Sequence, residues 1–215
     1  MRELLKYFSL SIFGIDKSQA ILSELPLLIL ESDVLQHPYG FYVMRPGIAV
    51  GRYQLRIHVW LAGERNRQNP DWPPHTHNSV LHSLVVKGAV VSRTWDWIEQ
   101  PDGRYVQYEV GYDGSNSILS RTSSVGALQN ESSALVEAGM SYTVPPHLFH
   151  ATDVSELIEA VTLVLVATEV SGNAVVAGDS NGLNQYIFER AAVNEERRKM
   201  AKDAALSAIT GAFRV

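Results

Sequence analysis

The chain has 215 residues, 46% of them apolar and 19% charged, with a formal net charge of −5 and no cysteine. That length suits one domain with a substantial core plus terminal helices, here read as a single domain over 1–215. The acidic balance argues against a polybasic nucleic-acid binder, and the lack of thiols excludes a disulfide framework and a thiolate metal site. The opening Met1-Arg2-Glu3-Leu4-Leu5-Lys6 breaks its apolar residues with charges and offers no small-residue cleavage site. No apolar run approaches the roughly 20 residues of a membrane span. A soluble cytoplasmic protein is expected, with neither a membrane nor a nucleic acid as partner.

Residues 1–38 read as a helical segment. Leu4, Leu5, Phe8, Ile12 and Phe13 recur at roughly helical spacing, Asp16 is placed to cap a second helix with Gln19 three positions on, and Pro26 should end or kink it. His37-Pro38-Tyr39-Gly40 is turn chemistry, and His37, with no partner at ligand spacing, reads as a loop histidine. From Gly40 the period changes to two, and 40–170 reads as a barrel of short strands. Tyr53, Leu55, Ile57, Val59 and Leu61 share one face of a strand, and Gln54, Arg56, His58 and Trp60 share the other. Periodicity gives the faces but not which is inside: the polar face is either solvated or lines a cavity that would suit an anion.

After Gly88 a strand runs through Trp95-Asp96-Trp97. Pro101-Asp102-Gly103 is expected to turn it into a hairpin with Arg104 to Val110, and 111–117 and 120–124 read as surface connections. The run Ala160 to Ala167 is apolar throughout and should be a central strand. In 184–212, expected to be helical, Asn194 suits an N-cap and Glu195 and Glu196 suit the first turn. Met200, Ala204, Ala205, Ala208 and Ile209 form a stripe ended by Gly211.

Chemistry concentrates in two stretches. In extended chain, residues i and i+2 point to one side, so His75 and His77 can present two imidazoles to a single point. His150, just beyond Pro145-Pro146 at the end of an apolar strand, can supply a third. Neutral imidazoles leave the charge of a divalent ion uncancelled and its remaining positions open to exchange. His82 is opposite in pleat parity to His77, and His147 lies three residues before His150; either could join or assist the set.

The spacing resembles the two cupin motifs: His75-x-His77 with Gly88 eleven residues on, then Gly139, Pro145 and His150. Where the first motif normally has a carboxylate, this chain has Leu81 and His82; where the second has a glycine, it has His147. Three histidines without the carboxylate resemble the cysteine dioxygenase group of thiol dioxygenases, as do Arg45, Trp60, Trp95-Asp96-Trp97 and Tyr142 over residues 41–168. The likeness implies an all-β cupin (double-stranded β-helix, jelly-roll-like) fold with short N-terminal helices and a C-terminal helix. It implies a mononuclear Fe(II) dioxygenase in which His75, His77 and His150 hold the ion. O2 and a small anionic substrate would take the open positions, with Tyr142 facing the reaction and Arg45 anchoring the acid group; the alternation of the 53–61 strand adds Arg56 as an alternative anchor and His58 as a further catalytic candidate. Thr162, Val164 and Val166 stand where the group has a Ser-His-Tyr set, so a substrate more apolar than cysteine is implied. The competing expectations are Zn, Mn or Ni serving lyase or isomerase chemistry, and a cupin that binds a small molecule without catalysis. Edge strands of such folds often pair two copies, so a homodimer is expected.

Overall fold

A computed structural model of the protein describes residues 15–50, 52–63, 65–114, 116–167, 172–189 and 192–213. The helix expected over residues 3–13 lies outside them. Helix α1 (Ile15–Glu31) leads into β1 (Val34–Gln36), β2 (Tyr42–Met44), β3 (Ala49–Val50) and β4 (Tyr53–Trp60). There follow β5 (Leu81–Lys87), β6 (Ala89–Glu99), β7 (Tyr105–Asp113), β8 (Asn116–Glu137), β9 (Ser141–Val144), β10 (Phe149–Asp153) and β11 (Ala160–Ala167). The chain closes with β12 (Val175–Asp179), β13 (Gln185–Glu189) and α2 (Glu195–Phe213). Two antiparallel sheets result, one ordered β1-β2-β4-β11-β5-β9 with β3 beside β4, the other β10-β6-β8-β7-β12 with β13 beside β8. This is the predominantly β architecture expected from the sequence, and no helix among the described residues is long and apolar enough to cross a membrane.

β11 lies between β4 and β5 and is buried along its whole length, which is why its eight residues carry no polar alternation. One face of the first sheet, built from Leu55, Ile57, Val59 and Leu61 of β4 and its continuation, packs with Leu84, Leu163 and Leu165 under both helices. The helices meet it through Leu25 and Ile29 of α1 and Ala201, Ala205, Ala208 and Ile209 of α2, whose small side chains allow close approach. Asn194 caps α2 as expected, its Oδ1 accepting from the Arg197 amide at 2.8 Å.

Gly88 makes the step from one sheet to the other. Its φ of +71° suits glycine, and a Cβ there would sit 2.3 Å from the Glu159 carbonyl oxygen, so the bend after β5 needs a residue without a side chain.

Several expectations are corrected. α1 is already helical at Ile15, ahead of Asp16, and runs through Pro26, because Leu25 and Ile29, both wholly buried, hold the turns on either side of it. The Pro101-Asp102-Gly103 turn forms, with the Gly103 amide donating to the Gln100 carbonyl at 2.9 Å, yet β6 and β7 are not a hairpin. Both pair with the 22-residue β8, β6 along Gly126–Glu137 and β7 along Asn116–Gly126. Gly126 is the shared point, facing Glu99 on one side and Tyr105 on the other. The Ser- and Thr-rich 116–124 is therefore strand, since its hydroxyls lie between buried Leu119 and half-buried neighbours and not in a solvated loop. The segment 184–212 begins with β13, not helix. Met200 is exposed, and α2 continues past Gly211 to Phe213 because Ala212 is still buried against the core.

Candidate metal centre

The segment Pro74 to His77 links the ends of the second sheet. The His75 amide donates to the His150 carbonyl at 3.0 Å and the His150 amide returns the bond at 2.8 Å, so these two residues lie directly opposite. The Thr76 amide donates to Val175 at 2.8 Å, and the His147 amide donates to the His77 carbonyl at 2.8 Å. Backbone pairing thus sets all three histidines before their side chains meet. With Thr76 buried and turned the other way, His75 and His77 point the same way, as the period of two requires.

One nitrogen from each of His75, His77 and His150 lies within 4.8 Å of the others. His75 Nε2 and His77 Nε2 are 3.2 Å apart, and the three ring centroids are separated by 4.8, 4.5 and 5.0 Å. His75 Nδ1 donates to the Pro73 carbonyl at 2.7 Å, which leaves Nε2 as its lone-pair nitrogen. Both ring nitrogens of His150 are buried without a hydrogen-bond partner. A buried imidazole with neither nitrogen satisfied costs free energy unless something accepts its lone pair, so the donor set fits a divalent ion.

Electrostatics agree. Burial pushes His75 down to about 4 despite its bond to Pro73, and holds His77 and His150 well below the ordinary imidazole value, with neighbouring imidazoles adding to the effect. His75 and His77 keep some exposed surface, but it opens onto the cavity they line. All three are therefore neutral at neutral pH, the state in which imidazole ligates metal. No Asp or Glu joins the cluster among the described residues.

The rings face a cavity of about 180 Å³ between the sheets, a size that admits only a small molecule. Arg56, His58 and Trp60 line it, which settles the two readings of β4: its polar face looks inward, and its apolar face lies under the helices. Burial, with Arg56 and Arg45 nearby, pushes His58 down to about 3, so it is a neutral imidazole edge-on to Trp60. Arg45 and Tyr142 also line the cavity. Tyr142, whose hydroxyl is 3.5 Å from Thr152 Oγ1, is pushed up by burial and remains a phenol. Beside these residues on the same sheet the lining is apolar: Leu81, Val144, Val164 and Val166 pack together with Tyr142. Leu81, one of the two positions read above for the missing carboxylate, lines the cavity itself.

The two extra histidines stay outside. His82 points to the other face of β5, where Nδ1 lies 2.9 Å from Thr143 Oγ1, as its parity predicts. His147 has φ +61°, so the turn keeps the left-handed geometry that a glycine would supply, and its side chain lines a separate surface depression beside Gly172. His37 does lie in the loop after β1 and outside the imidazole cluster, and there its ring stacks on Phe41 at 4.1 Å; both line the cavity with Tyr39, which contacts the His75 ring at 4.9 Å. The aromatic density of residues 37–41 was the available signal.

No protein-family model matches the chain. The comparison with curated proteins likewise finds no match. Among solved structures, the chain is similar to Streptomyces albus HEPD with substrate 2-hydroxyethylphosphonate and Fe(II) bound, at 12% identity and TM-score 0.37 over 64% of this chain and 24% of that one. It is also similar to recombinant oxalate oxidase in complex with glycolate (19%, TM-score 0.37, 64% of this chain and 55% of that one). A third is hydroxypropylphosphonic acid epoxidase from S. wedmorenis (16%, TM-score 0.36, 64% and 56%). The chain spans from about a quarter to just over half of the length of these proteins.

Proposed function

We propose that the protein is a mononuclear metal-dependent oxygenase of cupin type, with Fe(II) held by His75, His77 and His150 and a small anionic substrate other than cysteine. The observation that carries this reading is the convergence of three neutral, buried imidazoles, one with both nitrogens otherwise unsatisfied, on a cavity whose facing wall is cationic. When bound, the ion would supply a site where O2 and substrate meet. The chain's own residues do the rest. Arginine at the mouth attracts and orients the acid group, and the apolar wall of Leu81, Val144, Val164 and Val166 receives the body of the substrate and excludes water. The Tyr142 phenol, kept protonated by burial, offers a proton donor beside that wall. Leu81 in the carboxylate position leaves the ion its full charge, which favours anionic ligands. On this reading the whole chain is one domain, and it acts in the cytoplasm, alone or as a homodimer.

The test is elemental analysis of protein from its native host, followed by oxygen-electrode measurements with small organic acids and by His77→Ala. Roughly stoichiometric iron that falls at least 100-fold in affinity in the variant, together with substrate-dependent oxygen uptake, is expected. Metal content that survives His77→Ala overturns the site. Turnover without oxygen, with zinc, manganese or nickel bound, transfers the site to lyase or isomerase chemistry.

A further inference from the structure

Arg45 and Arg56 present a problem that the fold leaves unsolved. The β2–β4 register pairs Val43 with His58 and ends at Met44 and Ile57, which leaves Arg45 just beyond the end of β2, near Arg56 of β4. Both line the cavity, and each is close enough to act on the other or on His58 electrostatically. Like charges facing each other across a strand pair are destabilising. Neither guanidinium has a hydrogen bond or ion pair with a described residue, and Arg56 Nε is buried with no partner. Elsewhere in the cavity lining each arginine reaches an acceptor, although Arg65 Nε, like Arg56 Nε, is buried without one. Arg67 pairs with Asp71 at 3.1 Å, and Arg65 donates to the carbonyls of Ser155 at 2.8 Å and Val154. The lining carboxylates are also committed, since Asp153 pairs with Arg93 at 3.1 Å and Asp71 with Arg67. The cavity lining therefore carries two neighbouring guanidiniums without an ion pair, Arg45 exposed and Arg56 half-buried, and no free carboxylate among its described residues.

We propose that Arg45 and Arg56 form one clamp for a doubly charged acid group. The ligand of the cavity is then a small dianionic acid with a short apolar tail and no ammonium group. Two guanidiniums supply two forked donors matched to two charges, and the ligand removes the repulsion between them. An amino acid fits poorly, because its ammonium would add a third positive charge with no carboxylate to receive it. The tail lies against Val164, which β11 places directly beside Arg56 in register, and against Val166 and Leu81. A geminal dicarboxylate and an alkylphosphonate share this chemistry. The inference rests on the reading of the cavity as an anion site beside a metal, but not on which metal or which reaction.

Three probes differ in one substituent: ethylmalonate, butanoate and 2-aminobutanoate share an ethyl tail on the carbon bearing the acid. Calorimetric titration at pH 7.5 into metal-loaded protein and into the His77→Ala variant is expected to show ethylmalonate binding at least 10-fold tighter than butanoate in both, with 2-aminobutanoate weakest. Arg56→Met is expected to reduce ethylmalonate binding at least 10-fold while changing butanoate less than 3-fold. The same variant, freed of the like-charge pair, should melt no lower than the ligand-free parent, which separates loss of the clamp from loss of the fold. Propylphosphonate at pH 8.5 shows whether the preferred head is tetrahedral or planar; either one exceeding butanoate supports the proposal. Neither ethylmalonate nor propylphosphonate binding more tightly than butanoate, tighter binding of 2-aminobutanoate, or no binding of any probe overturns it. A preference seen in the metal-loaded protein but lost in His77→Ala also overturns the clamp, by assigning the charge reading to the ion while leaving the metal site intact.

Discussion

The two faces of β4 show how one strand divides stability from chemistry. Leu55, Ile57 and Val59 point toward the helices and are buried among alanines, leucines and valines, while Arg56, His58 and Trp60 alternate with them and look into the cavity. The helix-side residues are satisfied by contact alone, because dispersion and water exclusion need no partner of defined chemistry. The cavity-side residues are not: Arg56 Nε has no partner, and His58 is held neutral by burial beside two arginines. A strand that carried only the first kind would support a stronger domain with nothing to bind. The difference teaches that the fold's stability is lodged on the side of the first sheet covered by α1 and α2, and that it supports a destabilised face opposite.

That division can be broken in measurable ways. The largest effect is expected from Ile57→Ala, which empties a wholly buried site under the helices. It should cost about 2–5 kcal/mol in chemical denaturation, yet leave metal bound per folded molecule unchanged. A loss of metal affinity in the folded fraction would show that the two faces are coupled.

A smaller effect is expected from acid. In the folded protein His75 titrates near 4, against an ordinary value of 6.5. Between those limits the unfolded chain takes up protons that the folded chain refuses, so the stability of the metal-free protein should fall as pH drops from about 6.5 to about 4. The His75 shift alone corresponds to about 3 kcal/mol of that fall. Replacing His75 with Gln should flatten the dependence in a pH series of denaturant midpoints, and an unchanged slope would place the titrating groups elsewhere.

The smallest effect is expected at His147, which belongs to neither face. Its left-handed φ of +61° costs a residue with a Cβ more than glycine. His147→Gly should therefore stabilise by about 0.5 kcal/mol without altering metal content. A drop in metal affinity would show that the ring reaches the ligands.

Much of this was legible along the chain. The alternation Tyr53 to Leu61 defined both faces of β4, the unbroken apolar run Ala160 to Ala167 marked the centre of a sheet, and the i, i+2 pair His75 and His77 named two of three clustered imidazoles. Parity alone placed His82 on the wrong face to join them. These are local consequences of backbone geometry, which one strand expresses without help from the rest. Pairing was less legible. Strands β6 and β7 are joined by a genuine turn and still separated by β8, because hydrogen bonding between strands depends on which segment arrives alongside, and the hydroxyl-rich 116–124 carries little apolar signal of its own.

The sequence by itself determined the period of each element, the residue types available for chemistry, and the absence of both thiols and a carboxylate at the first motif. Only the tertiary structure decided that His150 stands opposite His75, that Arg45 and Arg56 line one cavity, and that His37 belongs to its wall. The physical reason is that a side chain's direction follows from its own backbone, whereas its neighbours follow from sheet register and from the covering of one face by helices, which no single stretch of chain contains.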